Sequence, residues 1–317
     1  MLSDSQIASF EENGYLVVED VLDQQTILDP VRTEYANLLE VLYDGWQDEG
    51  RVPALGPDAG FHDRLLAAYR AGCDWFQPMD ISLPGDRITA ETPFHFGPAI
   101  FDMLTAPKLL DVVEQLIGPE ITSNPIQHVR IKPPATDLRQ NEARAHVTAT
   151  DWHQDRGVTH SEADETTMIT VWIAVSDATI ENGCLQVVEG GHRAGILPHC
   201  PKTQTAIADG FVDMAHAKPL PVRSGGIVIF HPLVPHASLA NHTNGFRWSF
   251  DIRFNRTGEP TGRGHFPEFV ARSSTAPASE LHDWQEWRGM WEAARLRLAE
   301  VPHIDIHRWK CDAPGCA

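Results

Sequence analysis

The chain lacks the sequence features that direct proteins into or across membranes. None of its apolar runs approaches the ~20 residues of a membrane span, and residues 1–6 lack the positive charge and apolar stretch of a signal peptide. Its 5 cysteines are odd in number and irregularly spaced, which favours a reducing compartment over a disulfide framework. We therefore expect a cytoplasmic protein whose last two cysteines, Cys311 and Cys316, lie in a free, mobile tail.

Positive charge is also scarce, since 25 Lys and Arg face 44 Asp and Glu and the formal net charge is −19. Such a balance disfavours nucleic acids and anionic membrane surfaces as partners. The negative net charge does not identify a cationic substrate, because a need for solubility explains this charge as well.

No internal repeat or linker divides the 317 residues, so we expect one domain over residues 1–317. We expect a monomer or a homodimer.

Helical patterns occupy both ends of the chain. Ser3 and Gln6 form a capping box at the start of a first helix, and Gly14 ends it. Tyr15–Val18 then predicts a short strand, and longer helical patterns follow over about 24–43 and 98–117. Near the C-terminus, large apolar residues recur at helical spacing and predict a packing face: Leu281, Trp284, Trp287 and Trp291.

The middle of the chain changes from helical to strand periodicity. The predicted strands are Gln127–Lys132, Arg144–Asp151, Met168–Ser176, Cys184–Val188, Gly226–Phe230 and Arg247–Asn255. Turns rich in Gly and Asn separate them, a pattern typical of a sandwich or barrel. We predict a mostly β protein with a double-stranded β-helix core, that is, a cupin-like jelly roll, over about 121–256. A helical N-terminal part (about 1–120) and a helical C-terminal extension (about 257–317) flank it.

A histidine and an aspartate two residues apart, His153 and Asp155, are the main candidate metal ligands. On a strand both would face one side. One further histidine from a neighbouring strand would complete the two-histidine, one-carboxylate set of non-heme Fe(II) oxygenases. With 16 His and 44 acidic residues, about two such pairs are expected by chance. The chain has three, the others being His160/Glu162 and His303/Asp305; only His153 adjoins predicted strands.

Longer segments of the chain resemble the phytanoyl-CoA dioxygenase family, a branch of the Fe(II)/2-oxoglutarate oxygenases. The resemblance covers most of the chain except roughly 45–95 and 257–317. It rests on Phe10–Val18, Lys132–Pro134, Trp152–Asp155, Asn182–Val187, Gly191–Arg193 and Gly226–Arg253.

The resemblance implies that His153, Asp155 and His236 bind the iron. His231 and His242 are the competing histidines. Arg247 lies 11 residues after His236 (247 − 236), which matches the family's spacing between its metal histidine and its 2-oxoglutarate arginine.

Four residues are expected at the cosubstrate, of which Arg247 is the principal one. A guanidinium offers two parallel donors to the far carboxylate of 2-oxoglutarate. Ser238, on the same strand face as His236, would add a hydroxyl. The family implies a contact from the stretch that contains Gln127. Trp172 either lines the pocket or is a core tryptophan. Arg253 is the rival to Arg247, with a surface ion pair as its alternative role.

The resemblance thus predicts a dioxygenase that uses Fe(II), 2-oxoglutarate and O2. We expect hydroxylation of an unactivated C–H bond in a small-molecule metabolite, with release of succinate and CO2. Asp155 favours hydroxylation over halogenation, since related halogenases have Gly or Ala at that position. The sequence does not indicate the substrate. The alternative is a non-oxygenase metal cupin, an isomerase or a small-molecule binding protein, which would have no need of Arg247.

Overall fold

Helices at both ends of the chain pack against a central antiparallel sheet. The computed structural model describes residues 1–138, 147–201, 205–301, 308–310 and 316. Its α-helices are α1 (Asp4–Asn13), α2 (Asp29–Asp48), α3 (Phe61–Ala71), α4 (Phe76–Met79), α5 (Pro98–Leu104), α6 (Pro107–Ile117), α7 (Asp155–Val158) and α8 (Trp284–Ala299). A π-helical turn, Gln24–Leu28, precedes α2.

The strands form a jelly-roll core of antiparallel sheets that do not close into a ring. They are β1 (Tyr15–Val18), β2 (Glu120–Lys132), β3 (Met168–Ala174), β4 (Leu185–Val188), β5 (His199–Pro201), β6 (Thr205–Ile207), β7 (Ala217–Leu220), β8 (Ile227–Phe230), β9 (His236–Ser238), β10 (Arg247–Arg256) and β11 (Phe269–Ser273). The large sheet has the order β1-β8-β3-β10-β2-β11, the small sheet has the order β7-β4-β9, and β5 and β6 form a hairpin.

The large sheet has an apolar face toward the helices. Its other face combines the polar residues of β10 with apolar residues of β1, β3 and β8 that pack against the small sheet. On β10 the residues Trp248, Phe250, Ile252 and Phe254 belong to the main apolar core. Tyr35 of α2 contacts this face, with its ring 5.1 Å from that of Trp248. The alternate positions of β10 are buried polar residues from Arg247 to Asn255. Period-two alternation therefore places a charged row inside the jelly roll.

Local sequence signals explain where several elements begin and end. Ser3 caps α1 through the predicted capping box, and Gly14 ends it in the left-handed region at φ 79°. The pattern over 98–117 forms two helices, because Pro107 disfavours helical geometry at Ala106 and starts α6 instead. The aromatic stripe on α8 is a packing face, with Trp287 and Trp291 buried against Phe96.

Three sequence expectations differ from the structure. A strand was expected over Arg144–Asp151. Residues 144–146 of this range lie outside the described part, and 147–151 are not a strand. The C-terminal extension is not purely helical, because β11 pairs with β2. From the N-terminal part, β1 likewise joins the large sheet by pairing with β8. The division at about 120 and 256 remains a prediction.

The cysteine expectation was wrong for Cys316, which forms a disulfide with Cys200 across 116 residues of sequence. Local spacing cannot reveal a pair brought together only by tertiary structure. Cys73 and Cys184 are free and buried, and Cys311 lies outside the described residues.

No helix among the described residues has both the length and the apolar character needed to span a membrane.

Removal of the disulfide should lower the thermal stability of the protein. Because the bond closes a loop of 116 residues, we expect Cys316→Ser to cost about 2–5 kcal/mol of unfolding free energy. Differential scanning fluorimetry with and without dithiothreitol measures this. Dithiothreitol should lower the Tm of the unsubstituted protein and leave that of Cys316→Ser unchanged. Equal Tm values in all four samples would contradict the pairing.

Candidate metal centre and cosubstrate pocket

Three side chains from distant parts of the chain converge inside the jelly roll. The ligand atoms of His153, Asp155 and His236 lie within 4.8 Å of one another. Asp155 Oδ1 is 3.8 Å from His153 Nε2 and 3.9 Å from His236 Nε2. All three residues are buried. Across the described ranges, they are the one group of three His, Cys, Asp or Glu close enough to hold a metal.

The backbone positions these side chains through one bridge and one short helix. His153 and His236 exchange two backbone hydrogen bonds of 2.9 Å, which form an isolated β-bridge outside the named strand pairs. Asp155 is the first residue of α7 rather than part of a strand. A regular strand was thus the wrong basis for the His-x-Asp pair. The chain turns after His153, and the helical turn directs Asp155 back toward the two rings.

Backbone carbonyls hold both histidine rings in the orientation that metal binding needs. The Nδ1 atom of His153 lies 2.8 Å from the Asp151 carbonyl oxygen. The Nδ1 atom of His236 lies 3.0 Å from the Val234 carbonyl oxygen. Donation of Nδ1–H to these oxygens leaves each Nε2 as the acceptor that faces Asp155. Burial, followed by the neighbouring His236, lowers the pKa of His153 well below its usual value. The ring is therefore neutral and able to bind a metal.

Asp155 is completely buried and has two side-chain donors. Arg253 donates to its Oδ1, and Thr170 donates from its hydroxyl to its Oδ2. Burial acts to raise the pKa of Asp155, but the Arg253 guanidinium, both histidines and the Thr170 hydroxyl together hold it below its usual value. The carboxylate is thus kept ionised, the form in which it binds a metal.

His199 stabilises the turn that carries His153 and Asp155 by a hydrogen bond to its backbone. Its Nε2 accepts the Gln154 backbone N–H at 3.0 Å, while its Nδ1 donates to the Leu197 carbonyl at 2.7 Å. The Trp309 ring stacks on it at 5.1 Å and donates its indole N–H to the Gly157 carbonyl. Burial lowers the pKa of His199 to about 4, so the acceptor role of Nε2 persists at neutral pH.

A second group of buried polar residues contains cations. Arg247 and Lys132 are directly opposite each other on β10 and β2, and both are almost fully buried. Lys132 Nζ donates to Ser238 Oγ at 2.7 Å. Arg247 Nη1 donates to Ser249 Oγ at 2.5 Å, and its guanidinium lies 5.1 Å from the Trp172 ring.

Among the described residues, neither of these two neighbouring cations forms an ion pair with an acidic side chain. Burial, and then the nearby Arg130, lowers the pKa of Arg247 to about 9. Burial and the Arg247 charge likewise lower the pKa of Lys132 well below its usual value. The buried Nε of Arg247 has no hydrogen-bond partner in the described structure. Two desolvated cations with an unfilled donor form a site for an anion, most simply a carboxylate.

The residues present fit both groups that the sequence implied. Two neutral imidazoles and one carboxylate are the donor set of non-heme Fe(II), and the Lys132–Arg247 pair fits the far carboxylate of 2-oxoglutarate. Ser238 contacts Lys132 and Trp172 contacts Arg247, and their role at the cosubstrate remains a prediction. Gln127 is also buried, and its side chain donates to the Ile81 carbonyl at 2.8 Å. It thereby links β2 to the segment before α5.

The competing residues lie elsewhere or have other partners. His231 packs against His192, with ring centroids 5.3 Å apart, and His242 is exposed. Glu162 belongs to a short 3-10 helix. His303 and Asp305 fall outside the described residues. Arg253 is neither at the surface nor beside Arg247.

Sequence reasoning overlooked Lys132 and Thr170 as site residues. Both lie on the inner face of a strand that is otherwise rich in β-branched or apolar residues. Polar residues at period two were the available signal: His128, Arg130 and Lys132 on β2, and Thr170 between apolar neighbours on β3.

The jelly roll, the two-histidine, one-carboxylate group and the adjacent anion pocket define a non-heme metal oxygenase. Residues 10–249 match the family model described as phytanoyl-CoA dioxygenase (PhyH). The chain therefore belongs to the phytanoyl-CoA dioxygenase family of non-heme, 2-oxoglutarate-dependent oxygenases. Its cofactor is iron and its cosubstrate is 2-oxoglutarate.

Curated relatives agree with this assignment. The chain is 32% identical over 264 residues to a probable phytanoyl-CoA dioxygenase of Caenorhabditis elegans, covering 80% of this chain and 75% of that protein. It is 26% identical over 312 residues to the peroxisomal phytanoyl-CoA dioxygenase of Mus musculus, covering 94% and 82%.

Solved structures share the fold at lower sequence identity. The apo form of the non-heme monooxygenase ThoJ has a TM-score of 0.56 at 16% identity and covers 93% of this chain and 98% of its own. EvdO2 from Micromonospora carbonacea var. aurantiaca, complexed with 2-oxoglutarate, has a TM-score of 0.51 at 20% identity, covering 82% and 94%. The carbocyclase SnoK from nogalamycin biosynthesis has a TM-score of 0.50 at 18% identity, covering 89% and 94%.

Loss of one member of the triad should abolish metal binding. We expect Asp155→Ala and His236→Ala to retain less than about a tenth of the bound iron, since removal of a ligand costs more than the 10–100-fold loss typical of an outer-shell partner. Elemental analysis after anaerobic loading and desalting measures this. His242→Ala is the matched control and should bind one equivalent. Full iron content in His236→Ala would contradict the site.

Acid should loosen the turn that carries His153 and Asp155. The pKa of His199 is about 4 in the folded protein, against 6.5 for a histidine free of such burial, so the unfolded chain binds the proton more readily. Stability should therefore fall as the pH drops from 6.5 toward 4. The shift corresponds to roughly 3 kcal/mol at about 1.4 kcal/mol per pKa unit. Urea unfolding of the metal-free protein across this range measures the slope.

The His199→Gln variant tests the origin of that slope. It keeps an acceptor near the Gln154 N–H but cannot be protonated, so its stability should depend less on pH between 6.5 and 4. His216→Gln, at an exposed histidine, should keep the original dependence. Identical slopes in the two variants would show that His199 is not the group responsible.

Proposed function

We propose that the protein is an Fe(II)- and 2-oxoglutarate-dependent dioxygenase that hydroxylates an unactivated C–H bond of a small-molecule metabolite, with release of succinate and CO2. The observation that supports this most strongly is that the His153–Asp155–His236 group and a buried Lys132–Arg247 pair are linked through β9. This strand contains His236 and also Ser238, which accepts from Lys132. Metal ligands alone would suit many metalloproteins. The anion pocket beside them suits a cosubstrate that has a carboxylate at its far end.

Each residue has a defined part in this proposal. His153, Asp155 and His236 would hold iron through three donors, which leaves positions for cosubstrate and O2. When bound, iron and 2-oxoglutarate activate O2 for attack on the C–H bond. Arg247 and Lys132 would bind the far carboxylate of 2-oxoglutarate. Ser238 accepts from Lys132 and would donate its own hydroxyl proton to that carboxylate. The Trp172 ring would line the pocket and exclude water, and Gln127 would fix the adjoining segment through Ile81.

Hydroxylation is preferred for a chemical reason, although relatives of this fold also catalyse other oxidative outcomes. SnoK is described as a carbocyclase, so the fold does not decide the fate of the substrate. Asp155 would supply the third protein donor to the iron. The position that a halide takes in related halogenases, where this carboxylate is missing, would therefore be occupied. Hydroxylation is then the simplest chemistry that an iron centre held by these residues would supply.

The metal-cupin alternative has less support. An isomerase or a binding protein with the same triad would have no need to bury Arg247 and Lys132 beside it, because two desolvated cations destabilise a fold that does not use them.

A cytoplasmic location remains part of the proposal and rests on the composition. The Cys200–Cys316 bond is evidence of the opposite kind, since disulfides are uncommon in that compartment.

Arg247 should control the affinity for 2-oxoglutarate. Loss of a charge-assisted hydrogen-bond pair costs roughly 1.5–3 kcal/mol, so Arg247→Ala should weaken binding by about 10–100-fold. Anaerobic titration of the Fe(II) protein with 2-oxoglutarate, followed by the weak visible charge-transfer band of the chelated keto acid, measures the affinity. Arg272→Ala, which removes outer ion pairs with Asp111 and Glu114, should leave it unchanged.

The same titration tests the proposal as a whole. A charge-transfer band in the unsubstituted protein supports an oxygenase, and its absence with iron bound would favour the cupin alternative. Succinate release against a panel of acyl thioesters, amino acids and polyketide-like metabolites would then identify the substrate class. An Asp155→Ala protein that released succinate with substrate at the full rate would also contradict the proposed site.

A further inference from the structure

Arg253 has a buried position that neither cosubstrate binding nor core packing explains. It is only 3% exposed, and its Nη2 donates to Asp155 Oδ1. Its Nη1 donates to the Ile126 carbonyl at 2.9 Å and lies 3.8 Å from Asp251 Oδ1. A buried arginine is costly unless its charge is used, and this charge is directed at one proposed iron ligand.

The two donors on Asp155 contact different oxygens. Oδ1 is the oxygen that faces His153 and His236, and it accepts from Arg253. Oδ2 accepts from the Thr170 hydroxyl. A carboxylate whose second oxygen is occupied by a hydroxyl presents one oxygen to a metal rather than two. The number of donors from the protein is thereby limited to three.

The strand register shows why these two donors act together. Arg253 of β10 pairs with Thr170 of β3, so both side chains project from neighbouring strands into the same region of the cavity. Asp251, two residues before Arg253, is within 3.4 Å of Arg130 Nη2 and 3.8 Å of Arg253 Nη1. The guanidinium of Arg253 is thus braced by Asp251 and Ile126 on the side away from Asp155.

We propose that Arg253 is a positioning residue for the iron site, acting through Asp155. With Thr170 it holds the carboxylate so that only Oδ1 faces the metal, and its positive charge makes that oxygen a weaker electron donor. The inference rests on the proposed iron and 2-oxoglutarate function. It differs from the role of Arg247, which binds the cosubstrate directly.

A weaker donor set makes Fe(II) harder to oxidise, because outer-shell charge and hydrogen bonding tune the metal. The visible band of the Fe(II)–2-oxoglutarate complex arises from transfer of an electron from iron to the keto acid. The energy of that transfer should fall when the Arg253 charge is removed. We therefore expect Arg253→Met to shift the band to longer wavelength, and Arg253→Lys, which keeps the charge, to leave it near its original position.

Arg263→Met is the matched control. Arg263 is also a buried arginine, 7% exposed, and donates to the Val158 carbonyl in α7 at 2.6 Å, but it has no contact with Asp155 in the described structure. Its loss should lower the Tm without moving the band. If Arg253→Met does not fold, Thr170→Val provides the second test. This variant should give a smaller shift to longer wavelength, because Asp155 Oδ2 loses the hydrogen bond from the Thr170 hydroxyl.

The outcomes separate this inference from the proposed function. No band in the unsubstituted iron-loaded protein means that the proposed function is wrong. A band there and an identical band in Arg253→Met and Thr170→Val means that only the role of Arg253 is wrong. A shift that Arg263→Met reproduces would assign the effect to general loosening and would also overturn the inference. A shift in Arg253→Met that neither Arg263→Met nor Arg253→Lys shows supports it.

Discussion

Burial of the Asp155 carboxylate is the constraint on which the arrangement of the site depends. A completely buried carboxylate is stable as an anion only with close positive or hydrogen-bond donors. Arg253 and Thr170 supply them from β10 and β3, and these strands must pair in the observed register for both to reach Asp155. A slip of either strand by one residue would turn its own donor to the apolar face. Removal of one partner from a buried pair of this kind typically costs about 3–5 kcal/mol.

The same strand serves the core and the site, which links stability to function. Trp248 and Phe250 of β10 pack on Tyr35 of α2, while Arg247 and Arg253 project to the other side. The helices of the N-terminal part therefore fix the plane from which the cosubstrate arginine and the Asp155 partner arise. Segment 80–83 adds a second tie, since Asp80 accepts the Val129 backbone N–H at 3.0 Å along the edge of β2.

Patterns of local origin could be predicted from the sequence, and those of tertiary origin could not. β-branched content and the flanking turns located β3, β8 and β10 to within about two residues, and the capping box located α1. The short strands β5, β6 and β9 were missed, because three residues are too few to show a period. Arg247 was predicted from its spacing to His236, which matches that of the family it resembles, and from the carboxylate chemistry it offers. The contact of Arg253 with Asp155 was not, since it joins residues that are 98 apart in the chain.

The His-x-Asp pair shows most clearly why a motif is not a site. Residues 152–155 lack the strand that would have fixed the two side chains by its pleat, so their positions depend on distant contacts. Gln154 donates to the Leu233 carbonyl at 2.6 Å and accepts the Leu197 N–H at 2.7 Å. Trp309 donates to Gly157 across 152 residues. A jelly roll with the same strands but without these contacts would contain the motif and lack a fixed distance between His153 and Asp155. The loops of the small sheet and the C-terminal residues are therefore part of what makes the triad a binding site.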